Sequence, residues 1–389
     1  MSEVVWPAIV VNAYNRPDAL ARLLAALQAA AYPDGERIPL IISIDRGGSS
    51  QVRALAESFV WPCGPKEVIL QEQHLGLLEH FFACGDLTMR HDAIVYLEDD
   101  LTVSPVFYAY ASQALSFYHS DERIAGLSLF GLWFNGYTQQ PFVPLADGAD
   151  AFFVQVPYTQ GLAYTRAQWA RFQAWRHAPQ TAAAPGVALH EAWSHFDRED
   201  WFPLLARFVI STNRYFVFPR VSHTTGWGDA GTHYAQASRF FQVPLQRGRQ
   251  VYEFYLLEDA LAVYDPFFEI RTDRLNRLTD QLHGYDYAVD LYGIKSRQAL
   301  TSAYTLTSRR CHRPIASFGK ALWPIEMNVV ERAPGTEIQL CRTEDVRWDR
   351  LAQLQLWHSQ YRYFARGRTP RLTTVVKLAL ARLLSHISS

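Results

Sequence analysis

Eight short segments within the first 118 residues switch regularly between two apolar patterns, and this alternation restricts the fold more than any other property of the chain. The segments 8–11, 40–44, 68–70 and 93–97 are continuous apolar runs, the pattern of strands buried on both faces. Between them, 19–31, 51–60, 75–87 and 106–118 carry apolar residues at helical spacing. In the first of these, Leu20, Leu23, Leu24, Leu27 and Ala31 share one face, and Pro17 suits the first helical position because its missing N–H would have no partner there. Ser104 before Pro105 gives the same start signal ahead of 106–118. A strand-helix rhythm of this kind predicts an α/β chain with a mostly parallel, Rossmann-like sheet covered by helices on both sides.

Past residue 129 the sequence becomes aromatic-rich and punctuated by Gly and Pro, so three regions are expected: a nucleotide-binding half at 1–130, a substrate-shaping half at 131–245, and an extension at 246–389 with helices near 273–282 and 345–356. The 389 residues are 49% hydrophobic and 19% charged, which excludes disorder for most of the chain. Their net charge of −1 supplies no field for nucleic acid, and the aromatic clusters lack an interleaved basic ladder, so no nucleic-acid partner is expected. Cys63, Cys84, Cys311 and Cys341 lie far apart without a C-x-x-C pair, which argues against a zinc ribbon and against a disulfide framework and fits a reducing cytoplasm. The N-terminal residues have no basic region ahead of an apolar stretch, so no signal peptide is expected, and no window suits a spanning helix. From Arg350 onward there are seven Lys/Arg and no Asp/Glu. There Leu372, Val376, Leu380, Leu383 and Ile387 fall on one helical face, a pattern shared by helices lying on an anionic membrane and helices docked on their own protein.

Chemistry concentrates at strand ends. The segment 94–105, IVYLEDDLTVSP, runs an apolar strand into Glu98, Asp99 and Asp100. Adjacent carboxylates repel one another unless a cation or ligand offsets them, and in α/β sheets the carboxyl ends of strands are where ligands bind. Strand alternation would put Glu98 and Asp100 on one face and Asp99 on the other. A hard cation such as Mn²⁺ or Mg²⁺ takes one or two carboxylates plus phosphate oxygens; a solvated, helix-capping acidic turn is the alternative. The first strand ends in VVNAYNRP, with Asn12, Asn15 and Arg16, and the second in IISIDRG, with Asp45. A guanidinium binds phosphate oxygens in pairs, and Asp45 can accept from a ribose or a base edge. His74 and Gly76 open the third crossover helix, where glycine permits close backbone approach.

In order and spacing these segments, VVNAYNRPDALARLLAAL, IISIDRG, EQHLGLLEHFF and IVYLEDDLTVSPVFYAYASQAL, resemble the nucleotide-sugar half of GT-A glycosyltransferases. The likeness runs from about Ile9 to His233 and is strongest to the family-two-like bacterial enzymes and to the Golgi α-mannoside β-1,2-N-acetylglucosaminyltransferase. It implies a GT-A fold with a C-terminal helical extension, Arg16 on the donor diphosphate, Asp45 on the nucleoside, Asp100 on a bridging Mn²⁺ or Mg²⁺, and Glu98 and Asp99 on ribose or sugar. YTQGLAYTRAQW at 158–169 is similar to the family's glycine turn beneath the donor sugar, which singles out Gln160 and Gly161. HFDREDWFPLLARF at 195–208 is similar to its catalytic-acid helix, and YFVFPRVSHTTGWGDAGTH at 215–233 to its strand and glycine-rich loop. An inverting transferase needs a carboxylate to take the acceptor's proton, for which Asp200 leads, Asp197 rivals it and Glu199 follows. His223 and His233 are candidates to line the donor diphosphate or to complete the metal sphere, with His233 placed in the expected metal set beside Asp100, although the general behaviour of histidines favours a structural role for each.

The resemblance thus implies a metal-dependent, inverting transfer from a UDP-type nucleotide sugar to a glycan or lipid-linked glycan in bacterial surface polysaccharide synthesis; the cysteines point to the cytoplasm, and the basic amphipathic tail to a peripheral position on the inner face of the cytoplasmic membrane. Alternatives are a sugar nucleotidyltransferase, whose Gly-rich Arg/Lys loop is missing after Val11, and a non-catalytic carbohydrate-binding protein on the same fold. HEAWSH at 190–195 spaces its histidines i, i+5 and is no zinc protease motif, and neither a Walker A nor a G-x-G-x-x-G sequence occurs.

Overall fold

The computed structural model describes residues 4–138, 140–178, 200–229 and 242–348, together with Val376 and Leu380. The alternating half folds as β1 (Ala8–Ala13), α1 (Pro17–Gln28), β2 (Leu40–Ile44), α2 (Ser50–Ser58), β3 (Lys66–Leu70), α3 (Gly76–Gly85), α4 (Thr88–His91), β4 (Ala93–Glu98), β5 (Leu101–Val103) and α5 (Phe107–Tyr118). It is followed by β6 (Ile124–Ser128), β7 (Ala151–Val154), β8 (Leu162–Thr165), α6 (Arg166–His177), α7 (Trp201–Ser211), β9 (Tyr215–Pro219), β10 (Thr224–Gly226) and β11 (Val263–Tyr264). The last part contains α8 (Thr272–Leu278), β12 (Tyr287–Asp290), β13 (Tyr304–Thr307), β14 (Ala316–Phe318), α9 (Met327–Val330) and β15 (Ile338–Arg342).

Among the described residues the main sheet has nine strands in the order β11-β7-β9-β6-β8-β4-β1-β2-β3. Strands β4, β1, β2 and β3 are mutually parallel, β8 runs antiparallel to β4, and β6 and β9 return to the parallel sense. The α/β reading with a parallel-rich, doubly covered sheet therefore holds. Alternation along β1 shows how the sequence builds it. Ile9, Val11 and Ala13 face one layer with Leu20, Leu23, Leu24 and Leu27 of α1, whereas Ala8 and Val10 face the other with Phe81, Tyr96 and Trp201. Burying four leucines of α1 removes enough apolar surface for about 2 kcal/mol each, more than the intrinsic propensity of so short a helix supplies.

On the opposite face Trp201, the first residue of α7, stacks on Phe81 with ring centroids 4.2 Å apart, and Trp169 of α6 packs edge-on to the same ring at 5.4 Å. Gly85, at the end of α3, lets the Trp169 ring sit against the backbone: a Cβ there would lie 2.0 Å from the indole. A capping box between Thr165 and Gln168 starts α6 and orients that indole.

Several expectations need correction. The chain turns at Asp99 and Asp100 instead of continuing the strand, so the predicted sharing of one face by Glu98 and Asp100 fails; the two acids lead into β5, which pairs with β10. The division at 246 falls inside the main sheet, because β11 pairs in parallel with β7 as its edge strand. The described part of the extension is organised on a four-stranded sheet, β12-β13-β15-β14, and a shortened helix, α8, stands where 273–282 was expected. The expected helix at 345–356 lies mostly outside the described residues; at its start the chain forms a short 3₁₀ turn, Thr343–Asp345. Cys311 is joined by a disulfide to Cys341 of β15, contrary to the spacing argument, while Cys63 and Cys84 are free. Among the described residues no helix is long and apolar enough to cross a membrane. Val376 and Leu380 are exposed and helical, and the rest of the basic tail lies outside the described residues.

Candidate functional site

The chain runs from β1 to β2 and β3 on one side, then crosses to place β4 on the other side of β1. The crevice between the carboxyl ends of β1 and β4 is therefore the switch point of the sheet, the place where open α/β folds leave room for a ligand. Arg16 follows β1 and Asp99 and Asp100 follow β4, so the topology alone brings them to one rim.

Arg16 occupies the N-cap position of α1 ahead of Pro17 with a non-helical backbone (φ −116°, ψ 80°), since the proline ring disfavours the helical region for the residue before it. Its guanidinium donates to Asp99 and, at 2.9 Å, to Asp100 Oδ2. Asp99 is buried, whereas Arg16 and Asp100 are partly open to solvent. Asp100 Oδ1 is shielded from solvent yet has no hydrogen-bond partner among the described residues. Burial raises Glu98 to about 8, with the negative charge of Asp100 adding to it and Arg16 opposing it. Burial likewise pushes Asp99 up to about 6 against the pull of Arg16. The rim thus carries more negative charge than Arg16 offsets.

The neighbouring strand ends complete the crevice. Asp45, buried after β2, accepts from the backbone N–H groups of Arg46 and Leu75 at 2.8 Å and of Gly76 at 2.9 Å, and pairs with His74 Nδ1 at 2.9 Å. It therefore ties the β2 loop to the start of α3, which Gly76 permits at φ +70°. His74 is largely exposed, and its ring lies 5.5 Å from that of Tyr14. Asn12 donates to Tyr96 Oη at 2.8 Å, and Asn15 is exposed in the turn before Arg16.

The far wall is the Gln160–Gly161 turn. Gly161 has φ +93°, and a Cβ there would lie 3.0 Å from Thr224 Cγ2, so the turn requires glycine on both counts. Thr224 Oγ1 donates to the carbonyl of Gln160, and Gln160 Oε1, like Asp100 Oδ1, is shielded and without a partner among the described residues. Between these two acceptors passes the strap Gly226–Asp229: Gly226 pairs with Leu101, and the Trp227 N–H donates to the carbonyl of Asp100 at 3.2 Å. Arg22 of α1 fixes the strap by stacking over Trp227 at 4.9 Å and pairing with Asp229. Sequence reasoning did not single out Tyr14, Arg22 or Trp227; a tryptophan between two glycines was the available signal for the last.

Asp200 is the N-cap of α7, accepting from the Phe202 N–H at 3.0 Å. Trp201 beside it packs edge-on to Tyr96 at 6.5 Å, which sets the start of α7 next to the end of β4, and the charge of Asp200 acts on Glu98. Asp197, Glu199 and His233 lie outside the described residues.

His223 is part of the core. Its ring stacks on Tyr110 with centroids 4.4 Å apart, meets Tyr252 edge-on, and has Nδ1 3.3 Å from Ser104 Oγ. Burial lowers its pKa to about 3, and that of His80, which lies 2.8 Å from Ser43 Oγ, to about 4. Both folded values lie below the ordinary 6.5, so the unfolded chain takes up these protons first and stability is lost as pH falls from about 6.5 toward 3–4. For His223 the loss at pH 4.5 is about 2–3 kcal/mol. Urea unfolding of His223→Gln should show a stability deficit at pH 7 that shrinks by about this amount at pH 4.5; a deficit independent of pH would mean that His223 is not held neutral.

No protein-family model matches this chain, and no curated protein sequence matches it. Solved structures to which it is similar include GalNAc-T7 with UDP, GalNAc and Mn²⁺, at 12% identity and TM-score 0.39 over 57% of this chain and 43% of that one. A second is S. aureus TarS 1-349 in complex with UDP, at 14% identity and TM-score 0.37 over 56% of this chain and 59% of that one. A third is the mannosyltransferase PcManGT from Pyrobaculum calidifontis in complex with GDP-Man and Mn²⁺, at 13% identity and TM-score 0.31 over 47% of this chain and 50% of that one. The chain spans less than two thirds of the length of each.

Proposed function

We propose that this chain is a GT-A-type glycosyltransferase, transferring a sugar from a nucleoside-diphosphate sugar to a glycan or lipid-linked glycan with inversion at the anomeric carbon. The observation that carries the reading is the convergence of Arg16, Asp99 and Asp100 on the switch point between β1 and β4, where Asp100 Oδ1 is left without a hydrogen-bond partner among the described residues. The donor set suits a hard divalent ion such as Mn²⁺ or Mg²⁺: Asp100 would hold it through Oδ1, with diphosphate oxygens completing the sphere. Such an ion would neutralise negative charge on the departing diphosphate.

The chain's own residues do the rest. Arg16 presents a planar fork to diphosphate oxygens. Asp45 holds the loop bearing His74 beside Tyr14, so these two rings flank the space open to a nucleoside. Glu98 and the Gln160–Gly161 turn face the donor sugar. Asp200, fixed at the head of α7, takes the proton of the acceptor hydroxyl as that oxygen attacks from the side opposite the leaving group. A role in surface polysaccharide synthesis at the inner face of the cytoplasmic membrane, with the basic tail on anionic lipid, belongs to the same proposal.

A thermal-shift screen of nucleotide sugars with and without Mn²⁺ tests the reading. A donor at 100 times its Kd should add about 2.7 kcal/mol of stability and raise Tm by about 3 °C in the presence of the cation. Slow cation-dependent hydrolysis of the same donor separates an enzyme from a binding protein. No shift with any UDP- or GDP-sugar would sink the proposal.

A further inference from the structure

We infer that Arg16 is the resident counter-ion of the acidic rim, and that it exchanges Asp100 for the diphosphate when nucleotide arrives, so that divalent cation and nucleotide bind together much better than either binds alone. The inference rests on the nucleotide-sugar reading above and concerns the state of the site before the donor enters.

In the structure the guanidinium is already committed. It reaches from the N-cap position of α1 across the crevice, one arm on the buried Asp99 and the other on Asp100 Oδ2 at 2.9 Å. A cation at the remaining oxygen, Asp100 Oδ1, would sit next to that fixed positive charge and share its carboxylate, so repulsion and competition for lone pairs both oppose its binding. Arg16 is able to leave. Its side chain is 30% exposed and makes no capping bond to α1. A diphosphate in the crevice supplies what the guanidinium needs to let go of Asp100, two phosphate oxygens in the plane of the fork. Asp99, more deeply buried than Asp100, keeps the other arm and acts as the pivot. Free Asp100 then accepts the cation. Because coupling between two ligands is reciprocal, the cation must raise nucleotide affinity by the same factor as nucleotide raises cation affinity.

Mn²⁺ binding, read from the loss of the free-ion EPR signal, tests this on the full chain with and without UDP. Removing the resident charge in Arg16→Gln should tighten binding of Mn²⁺ alone by about tenfold, the size expected for one like charge beside the ion in a partly solvated site, and shrink the enhancement by UDP by a similar factor. Arg16→Lys keeps the charge without the fork, so Mn²⁺ alone should bind as weakly as to wild type while the UDP enhancement still falls. Equal or weaker Mn²⁺ binding by Arg16→Gln, with wild-type circular dichroism, would overturn the inference. If Arg16→Gln does not fold, unchanged UDP enhancement in Arg16→Lys would overturn it as well. Failure of UDP to bind the wild type under any condition would instead remove the nucleotide reading, and the titration with Mn²⁺ alone would still decide whether Arg16 competes for the rim.

Discussion

Alanine in place of Asp100 is expected to remove cation-dependent nucleotide binding, a loss of at least about 100-fold in affinity, while the protein stays folded. The two halves of this expectation come from different atoms of one residue. The carboxylate supports little of the fold: it is 30% exposed, Oδ2 makes a partly solvated pair with Arg16, and Oδ1 has no partner among the described residues. Pairs of that kind contribute about 0–1 kcal/mol. The backbone of Asp100, by contrast, holds the strap, since its carbonyl accepts from the Trp227 N–H at 3.2 Å, and alanine preserves that bond. Arg16 retains Asp99 in the variant and would still attract phosphate. What disappears is the oxygen placed to hold a cation against a diphosphate. Calorimetry with UDP and Mn²⁺ measures it directly, with circular dichroism as the control for folding. Wild-type affinity in Asp100→Ala would take this residue out of the site and, with it, the main support for a metal-assisted transferase.

The residues of this rim were legible because they are local signals. Three acids at a strand end and an arginine before a helix-starting proline can be read from a dozen residues each, and the β-α rhythm places both at the same edge of the sheet. The order of strands after β5 was not legible in the same way. Whether β8 enters the sheet antiparallel to β4, or β11 (Val263–Tyr264) becomes an edge of the sheet that β1 (Ala8–Ala13) starts, depends on pairings that leave no periodicity in the chain. Asp99 and Asp100 show the limit even within a motif. Alternation was extrapolated past the last strand residue, Glu98, into a turn, where a period of two no longer applies. The Cys311–Cys341 disulfide escaped because its partners are 30 residues apart and are brought together by the β13-β15-β14 pairing, not by any sequence spacing. His223, for which the sequence favours a structural role over a diphosphate or metal contact, lies in the core, although its packing partner Tyr110 is over 100 residues away and could not be named from the chain.

Asparagine in place of Asp200 is expected to lower the rate of sugar transfer by about 100-fold or more and to leave donor binding and stability unchanged. The local geometry makes this an unusually clean substitution. Asp200 caps α7 by accepting from the Phe202 N–H at 3.0 Å, and asparagine caps a helix as well as aspartate does, so Trp201 should keep its stack on Phe81. The variant therefore removes one capacity, that of accepting a proton, together with one negative charge whose influence reaches Glu98. If Asp200 is the base, single-turnover transfer with saturating donor falls while the donor's Kd and the slow hydrolysis by water change far less, because water needs no such positioned acceptor. If the charge of Asp200 acts only through Glu98, the rate will instead depend on pH in a shifted way without a large drop at its optimum. Near wild-type transfer by Asp200→Asn, with the loss appearing in Asp197→Asn, would move the base to that earlier residue, which lies outside those described, and leave Asp200 the task of starting α7 at the end of β4.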